Sequence, residues 1–546
     1  VGAPVFVYYY PGQHSIGAPI APSEACPAPP RNIAALSGPS PRREVSVGAA
    51  AARVGQPQGA TEGASEGRGE DAADLAALLR QMDDAVSQPA LAALTEVHAD
   101  NLTLRYEDAR SGRAWNVDGG QVTLSRQGDD LRLRGDFVLL GARAYATSLE
   151  VTFAKQVGAP SAEFSVNFAD VPAEELALQS PALAWLGALD APISGALRAE
   201  INEEGLLGPL NATLQIGAGV VQPNAATKPV AFESASSYFT YDPRARSMRF
   251  ESLSIESKWV TARAQGTAFL VGAEAGGWPQ ELQAQMQVTD ITANPADLYA
   301  QPIALDGAVL DMRLKLDPFH LSVGQLSLAD MGANLTLRAE LRGEETGWDL
   351  ALDGTMDRLD RDRLMALWPP AAIPKTRAWV EANVSAADLS NVQIAVRSLP
   401  KSRSDVFMGF DFRNMTTKFM RLMPPITGAA GHASLYDERF VIHAETGVVQ
   451  APQGGLIDVG GTSFVVENTR EKQPPSTTYL RTQSTITAAL ALLDEPPFEM
   501  LSKQGQPVAL AEGRADVAGT LAFNLKGDLQ TEDVRMRTSA LARMEE

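Results

Sequence analysis

Histidine is the residue type in this sequence best suited to acid–base or metal chemistry, because its ordinary pKa lies near neutral pH. Two of the five histidines, His432 and His443, stand at a spacing that could bring them together. If Tyr436 to Arg439 form a symmetric hairpin turn, the two side chains lie opposite each other, about 5 Å apart. A metal site needs a third ligand, and the hairpin offers only Glu445, one tier away. We therefore expect neither a metal site nor a catalytic centre at this pair.

The rest of the chain has no catalytic signature. It contains no nucleophile elbow, phosphate-binding loop, dinucleotide fingerprint or zinc-protease helix. Its acidic residues lie mostly at predicted turns and on polar strand faces, where solvation is their ordinary role. The sequence therefore predicts a protein that is not an enzyme and needs no cofactor. A hydrolase that depends on His432 or His443 is the least favoured alternative.

Composition narrows the class of protein further. A formal charge of −20 repels phosphate backbones, so we expect no nucleic-acid partner. The single cysteine, Cys26, excludes an internal disulfide framework. No apolar run reaches the roughly 18 residues of a transmembrane helix. The chain begins with Val1 and ends in a charged run, which predicts a fragment of a longer protein.

The elements that position these residues follow from a period of two in the hydrophobic pattern. Between Ile303 and Val384, apolar residues alternate with polar ones in several runs separated by Gly343 and Gly354. A β-strand places successive side chains on opposite faces, so each run predicts a strand with one apolar face. Similar runs fill most of the chain after residue 100. The fold class predicted is mainly β, with short interspersed helices and antiparallel meanders.

Four segments interrupt the strands with helical spacing. They are Asp71 to His98, Pro172 to Leu189, Asp357 to Leu367 and Thr376 to Asn383. Residues 1–70 are rich in Ala, Pro, Gly and Ser without periodicity, which predicts a disordered or non-native segment.

A short recurring pattern divides the chain into modules. An apolar residue, a spacer and a glycine begin new strand sets, at Ile193 to Gly195, Leu305 to Gly307, Ile426 to Gly428 and Ala511 to Gly513. After the first helix and meander (71–192), we therefore expect three modules, at 193–302, 303–425 and 426–546.

The apolar strand faces are dominated by Leu, Ala and Val, and aromatic residues make up 6% of the chain. Smooth aliphatic faces suit acyl chains as well as they suit each other in a closed core. Composition leaves both possibilities open.

One motif links the sequence to a known family. Leu367-Trp368-Pro369, followed by Arg377-Ala378-Trp379-Val380-Glu381-Ala382-Asn383-Val384, resembles the central region of the AsmA-like YhdP family of bacterial envelope proteins. Leu492-Leu493-Asp494-Glu495-Pro496-Pro497-Phe498 before Gly513 resembles that family's later helix-to-strand junction. The resemblance covers about 71–546.

This resemblance implies an elongated, curled antiparallel sheet that forms an open apolar groove. It implies lipid transfer, in which phospholipid acyl chains move across the periplasm from an inner membrane, where the intact protein is anchored, toward the outer membrane. The residues expected to line the groove are Leu310, Met312, Leu314, Leu335, Leu337, Leu350 and Leu352. Trp368, Pro369 and Trp379 are expected to be structural, with the tryptophans packing helices onto the sheet. The alternative is a structural or adhesive extracytoplasmic β protein that transports no lipid.

Overall fold

The computed structural model describes residues 70–88, 95–108, 113–140, 146–204, 206–272, 278–294, 297–330, 333–370, 373–420, 422–496, 498–525 and 534–544. The segment predicted to be disordered, 1–70, lies outside the described residues except for Glu70. The predicted fold class is confirmed, because the chain is mainly antiparallel β, with a large curled sheet and a few short helices. Twenty-four strands of the described residues belong to that sheet.

The strands of the first half run from β1 to β14. They are β1 (Glu96–Asp108), β2 (Arg113–Gln127), β3 (Asp130–Leu140), β4 (Thr147–Gln156), β5 (Ala162–Pro172), β6 (Leu189–Asp190), β7 (Pro192–Ile201), β8 (Leu210–Ile216), β9 (Gly219–Val221), β10 (Val230–Phe232), β11 (Ser234–Asp242), β12 (Ser247–Glu256), β13 (Val260–Val271) and β14 (Glu281–Ala293).

The second half continues the same sheet. Its strands are β15 (Ile303–Leu316), β16 (Phe319–Asp330), β17 (Ala333–Glu344), β18 (Gly347–Asp360), β19 (Val384–Ser398), β20 (Asp405–Thr417), β21 (Ile426–Tyr436), β22 (Arg439–Gln450), β23 (Leu456–Asp458), β24 (Thr462–Val466), β25 (Pro475–Thr485), β26 (Gly513–Asn524) and β27 (Arg535–Met544). The α-helices are α1 (Glu70–Val86), α2 (Ala173–Ala177), α3 (Arg361–Leu367), α4 (Pro374–Asn383) and α5 (Ile486–Leu493), and 3-10 helices form at Pro181–Ala188 and Ser502–Gln504.

Nearly every strand pairs antiparallel with the next strand along the chain. The exceptions are β6, β9 and β10, which form a separate small sheet, and the short strands β23 and β24, which each pair with β22 and β25. The strands on either side of each predicted module boundary pair with each other, namely β5 with β7, β14 with β15 and β20 with β21. The predicted modules are therefore successive stretches of one ladder.

The register aligns apolar residues in rows across the strands. One row runs through residues that face each other in consecutive strand pairs, which are Met286, Leu310, Leu326, Leu337, Gly354, Ile394, Met408, Leu435, Phe440 and Val466. Directly opposed residues point to the same side of a sheet. The rows therefore define one side of the sheet, which we call the apolar face.

The strand directions place the helical insertions at one long edge. Consecutive strands alternate in direction, so β5, β14, β18 and β25 all end at the same edge, which we call the helical rim. α2 with the first 3-10 helix, α3 with α4, and α5 all begin there. The hydroxyl of Tyr299, just after β14, donates to the Leu367 carbonyl at 2.6 Å, in agreement with this placement. The opposite edge, where hairpins such as β17–β18 turn, we call the turn rim.

A four-residue signature recurs where strands bend. An apolar residue, any residue, Asn or Asp, and a second apolar residue occur together at Ala99–Leu102, Phe168–Val171, Val288–Ile291, Leu389–Val392 and Phe412–Met415. The third residue of each has a left-handed backbone, with φ between 52° and 57°. A register shift occurs in a ladder at each signature. Such bulges bend a strand and increase its twist, which favours a curled sheet.

Two helical predictions needed correction in the first half of the chain. The helix predicted from Asp71 to His98 ends at Val86, and His98 lies in β1 instead. The helix predicted from Pro172 to Leu189 is two short helices, because Pro181 begins a separate 3-10 helix that Ser180 caps by accepting from the Ala182 N–H at 3.3 Å.

The helix pair in the second half differs from prediction at its start. The expected helix from Asp357 begins at Arg361, since residues 357–360 complete β18. Asp360 serves as its N-cap and accepts from the Arg363 N–H at 2.7 Å. The second helix, predicted from Thr376, is confirmed as α4 and begins at Pro374.

Candidate functional site

The residues predicted to line a groove lie together on the apolar face. Leu310, Met312 and Leu314 are on β15, and the others are on β17 and β18. Every one of the seven side chains is partly buried. Sequence reasoning missed β16, which lies between these strands and adds Leu321, Val323, Leu326 and Leu328 to the same surface. A bulge between Val323 and Leu326 shifts the alternation of β16 and hides its apolar face in the sequence.

Most of the apolar face of β7 to β14 is covered, although Ile255 near the helical rim of β12 is 37% exposed. Ile193, Leu214 and Phe239 there are each 0–1% exposed. The cover comes from the 3-10 helix Pro181–Ala188, whose Leu183 and Leu186 are 0% exposed and belong to the same apolar cluster. This part of the sheet therefore curls around a segment of its own chain and has a closed core.

A second segment crosses the same face. We call residues 217–233, which contain β9 and β10, the internal strap. The strap begins at the helical rim, where β9 pairs with both β10 and β6, close to the start of β7. The side chain of Phe232 packs into the closed core. At the tip, the Asn224 amide donates to the Gly343 carbonyl at 2.9 Å, and the Trp348 indole N–H donates to the Lys228 carbonyl at 2.7 Å.

The strap therefore spans the width of the sheet. Gly343 is one residue before the end of β17 and Trp348 is the second residue of β18, so both lie at the turn rim, whereas the strap's root lies at the helical rim. Trp348 shares the apolar face with Leu350 and stacks edge-on against Phe319 with ring centroids 5.6 Å apart. The strap closes the curl between β8 and β17.

Helices α3 and α4 cover the helical rim of the next strands. Leu364, Leu367 and Val380 pack against a separate apolar cluster that includes Leu389 and Phe412. This cover does not extend to the turn rim, where Ile394 and Val406 are each 44% exposed.

Arg377 joins the two helices of the pair. Its guanidinium donates to the Trp368 carbonyl at 3.1 Å, to the Met365 carbonyl at 3.1 Å and to the Glu381 carboxylate at 3.2 Å. The planar fork of arginine suits three acceptors at fixed angles, which a lysine ammonium does not match.

The tryptophans of the motif have different roles. Trp368 is partly buried at the end of α3, where its N–H donates to the Leu364 carbonyl at 2.9 Å, and Pro369 follows it, also partly buried. The prediction that both tryptophans pack the helices onto the sheet is wrong for Trp379, which is 49% exposed. Val380 supplies the contact between α4 and the core instead.

One accessible part of the apolar face is a strip over β17 to β20. The register places Leu352 opposite Val396, and Val396 opposite Val406, while Ile394 faces Met408. We call this set, with Leu337, the open strip. Its side chains are aliphatic or thioether groups, so it can hold flexible apolar chains without any specific polar contact.

The histidine pair lies on the opposite side of the sheet. His432 pairs with His443 in the register, as predicted, and their ring centroids are 5.3 Å apart. His432 lies 3.5 Å from the Glu445 carboxylate, and His443 Nδ1 lies 2.8 Å from the Ser463 hydroxyl. No group of three or more His, Cys, Asp or Glu side chains among the described residues is placed to hold a metal ion.

One charged cluster on this polar side has a perturbed carboxyl group. Burial alone raises the pKa of Glu340, but hydrogen bonds from Ser322 and His320, with the charges of His320 and Arg342, outweigh burial and hold that pKa below its usual value. The Ser322 hydroxyl donates to Glu340 at 2.7 Å, and His320 contacts the other carboxylate oxygen. The cluster joins β16 to β17 and stabilises their pairing.

No helix in the described part of the chain is both long enough and apolar enough to cross a membrane. Comparisons of the chain with protein-family models, with curated proteins and with solved structures found no match. The fold and the open strip are therefore the basis for a functional proposal.

Proposed function

We propose that this chain is a non-enzymatic lipid-transfer protein that holds phospholipid acyl chains along the open strip, as a member of the AsmA-like YhdP family. The observation that supports the proposal is the partial exposure of one continuous aliphatic surface, including Ile394 and Val406 at 44% each. Such surfaces on a soluble chain are costly in water and often bind apolar ligands.

The chemistry required of the site is burial alone. An acyl chain that leaves water gains about 0.8 kcal/mol for each CH₂ group that is buried. Rows of aligned aliphatic residues offer similar contacts at each successive strand, about 4.8 Å further along the sheet. A lipid tail can therefore move along the strip without large changes in free energy, while its polar headgroup stays in water at the turn rim.

The cellular setting follows from the same family proposal. The chain acts in the periplasm of a Gram-negative envelope, and the intact protein is anchored in the inner membrane and supports the outer membrane. Its partners are phospholipids and the two membranes, and it uses no cofactor.

A charge placed in the open strip tests this function. Leu352→Asp puts a carboxylate on the apolar face of β18, and Thr355→Asp puts the same group on the opposite side of the same strand, where Thr355 is exposed. We expect the Leu352 variant to lose most of the co-purifying lipid and most transfer between vesicles, because burying an unpaired carboxylate is costly. The Thr355 variant should retain both.

Two outcomes would contradict the proposal. Mass spectrometry of the wild-type chain could detect no bound lipid, which would favour the structural or adhesive alternative. Equal lipid binding by the two folded variants would show that the strip is not the site.

A further inference from the structure

The cover of the apolar face changes abruptly along a single row of the sheet. Met286 on β14 is 6% exposed, whereas Ile394 on β19, five strands further along the same row, is 44% exposed. Leu310, Met312 and Leu314 on β15 lie at the transition, since they pack only partly against the closed core. The alternating pattern is the same on both sides of this boundary, so the difference comes from what covers the face.

The apolar face of β7 to β14 is covered by two segments of the same chain, the 3-10 helix Pro181–Ala188 and the internal strap, and the strap is attached at both rims. The 3-10 helix Pro181–Ala188 contacts β15 and shares one apolar cluster with residues of β5 to β14, and its Trp185 meets Phe250 of β12 edge-on with ring centroids 6.5 Å apart. The internal strap then crosses to the turn rim. Its Phe232 is 7% exposed inside the closed core.

The tip of the strap is tightly fitted to the turn rim. A Cβ atom at Gly343 would lie 3.1 Å from Pro223 Cγ and 3.4 Å from Phe319 Cβ, so even one added carbon would require these neighbours to shift by a few tenths of an ångström. Asn224 also orders its own loop, because its side-chain oxygen accepts from the N–H groups of Ala226 at 3.0 Å and Thr227 at 2.9 Å. The same side chain thus shapes the loop and attaches it to β17.

We infer that the 3-10 helix and the internal strap form an end wall inside the curled sheet, so that an acyl ligand reaches the open strip beyond β16 but not the face of β7 to β14. The inference rests on the proposed function for the identity of the ligand. The wall itself is a property of the chain. Lipid that moves along the sheet must therefore enter or leave beside the wall, or displace the strap.

Site-specific photocrosslinking tests where lipid binds. A diazirine analogue of leucine replaces Leu352, which is partly buried in the open strip, or Leu270, which is 5% exposed on the covered face. The probe is a vesicle of phosphatidylethanolamine and phosphatidylglycerol. We expect crosslinked lipid at position 352 and none at 270. Comparable crosslinking at both positions would overturn the end wall.

Cysteine labelling tests the wall without any lipid. In a Cys26→Ser background, Leu270→Cys should react with an apolar maleimide at least about tenfold more slowly than Leu352→Cys, because Leu270 is buried in the closed core and a thiol there reacts only when the cover opens. Equal rates would overturn the inference. If no lipid crosslinks anywhere but the labelling difference holds, the proposed function fails and the wall stands.

Variants that remove the hydrogen bonds at the tip of the internal strap test whether the strap keeps the apolar face covered. Asn224→Ala combined with Trp348→Phe removes both tip hydrogen bonds and keeps an aromatic ring beside Phe319. We expect faster labelling at position 270 in this variant. Asn468→Ala, which removes a similar loop bond to the Arg470 N–H far from the strap, is the control. An unchanged labelling rate in the Asn224→Ala/Trp348→Phe variant would show that the strap does not cover the apolar face.

Discussion

Glu340 shows how a single side chain couples pH to the pairing of two strands. The pKa of its carboxyl group is held below the usual value, because the bonds from Ser322 and His320 outweigh the opposing effect of burial. A carboxyl group whose pKa is depressed on folding stabilises the protein above its unfolded pKa. That stabilisation is lost as the pH falls through the folded pKa.

We predict that Glu340→Gln weakens the pH dependence of stability in acid. As the pH falls from the ordinary pKa of a glutamate to the depressed pKa of Glu340, the wild-type chain should lose stability and the variant should lose less, because its amide does not titrate. Urea unfolding at neutral and acidic pH, with the variant compared at each pH, measures the difference. Glu512→Gln, which changes an exposed residue, is the control and should follow the wild type. Parallel behaviour of both variants would contradict the assignment.

At the scale of an element, the α3–α4 pair depends on one guanidinium more than on its aromatic residues. Arg377 is 20% exposed and bonds two carbonyl groups at the end of α3. Trp379 faces solvent, although tryptophan is the residue that pattern reasoning favours as an anchor.

We predict that Arg377→Ala destabilises the helix pair by about 1–3 kcal/mol, because it leaves carbonyl groups at the end of α3 unpaired. Arg377→Lys should recover little, since an ammonium cannot bond both carbonyls with the same geometry. Trp379→Ala should cost less than Arg377→Ala. Chemical denaturation followed by tryptophan fluorescence compares the arginine variants, and circular dichroism serves for the tryptophan variant. A larger loss for Trp379→Ala would reverse the interpretation.

The sequence predicted elements better than it predicted their limits. Alternation identified the strands and put the seven proposed lining residues on one face, because that period is a local property. The charges of residues 357–360 resemble a helical surface and predict a helix, yet these residues complete β18. The bulges were not predicted either. At each bulge, an Asn or Asp shifts the alternation of apolar and polar residues by one position, which resembles the irregular end of a strand.

At the scale of the whole molecule, the sheet has several cores rather than one. The cluster around Leu214 and Phe239 is separate from the cluster around Leu389 and Phe412. Each strand bonds only to its neighbours, so stability is distributed along the ladder as in repeat proteins. The position of the strap could not have been predicted, because Asn224 meets Gly343 across 119 residues of chain.

We predict that these regions open independently. Leu214→Ala should destabilise its own region by about 2–5 kcal/mol through the cavity it creates. Hydrogen exchange should then accelerate in β7 to β14 and stay unchanged in β18 to β22. Phe412→Ala is the reciprocal variant and should give the opposite distribution. Acceleration throughout the chain for both variants would instead indicate one cooperative unit.

The bulge signature has a consequence for tracing distant kinship. Strand sequences of this type diverge easily, because any aliphatic residue satisfies an apolar row. The left-handed position is more demanding, since Asn and Asp adopt it far more readily than other side chains that have a Cβ atom. We therefore expect one sequence pattern to persist after overall sequence identity is lost. In this pattern, apolar and polar residues alternate over about ten positions, and the alternation shifts by one residue at an Asn or Asp. Chains with the same architecture should be recognisable by the spacing of these Asn and Asp positions, even when sequence alignment detects no similarity.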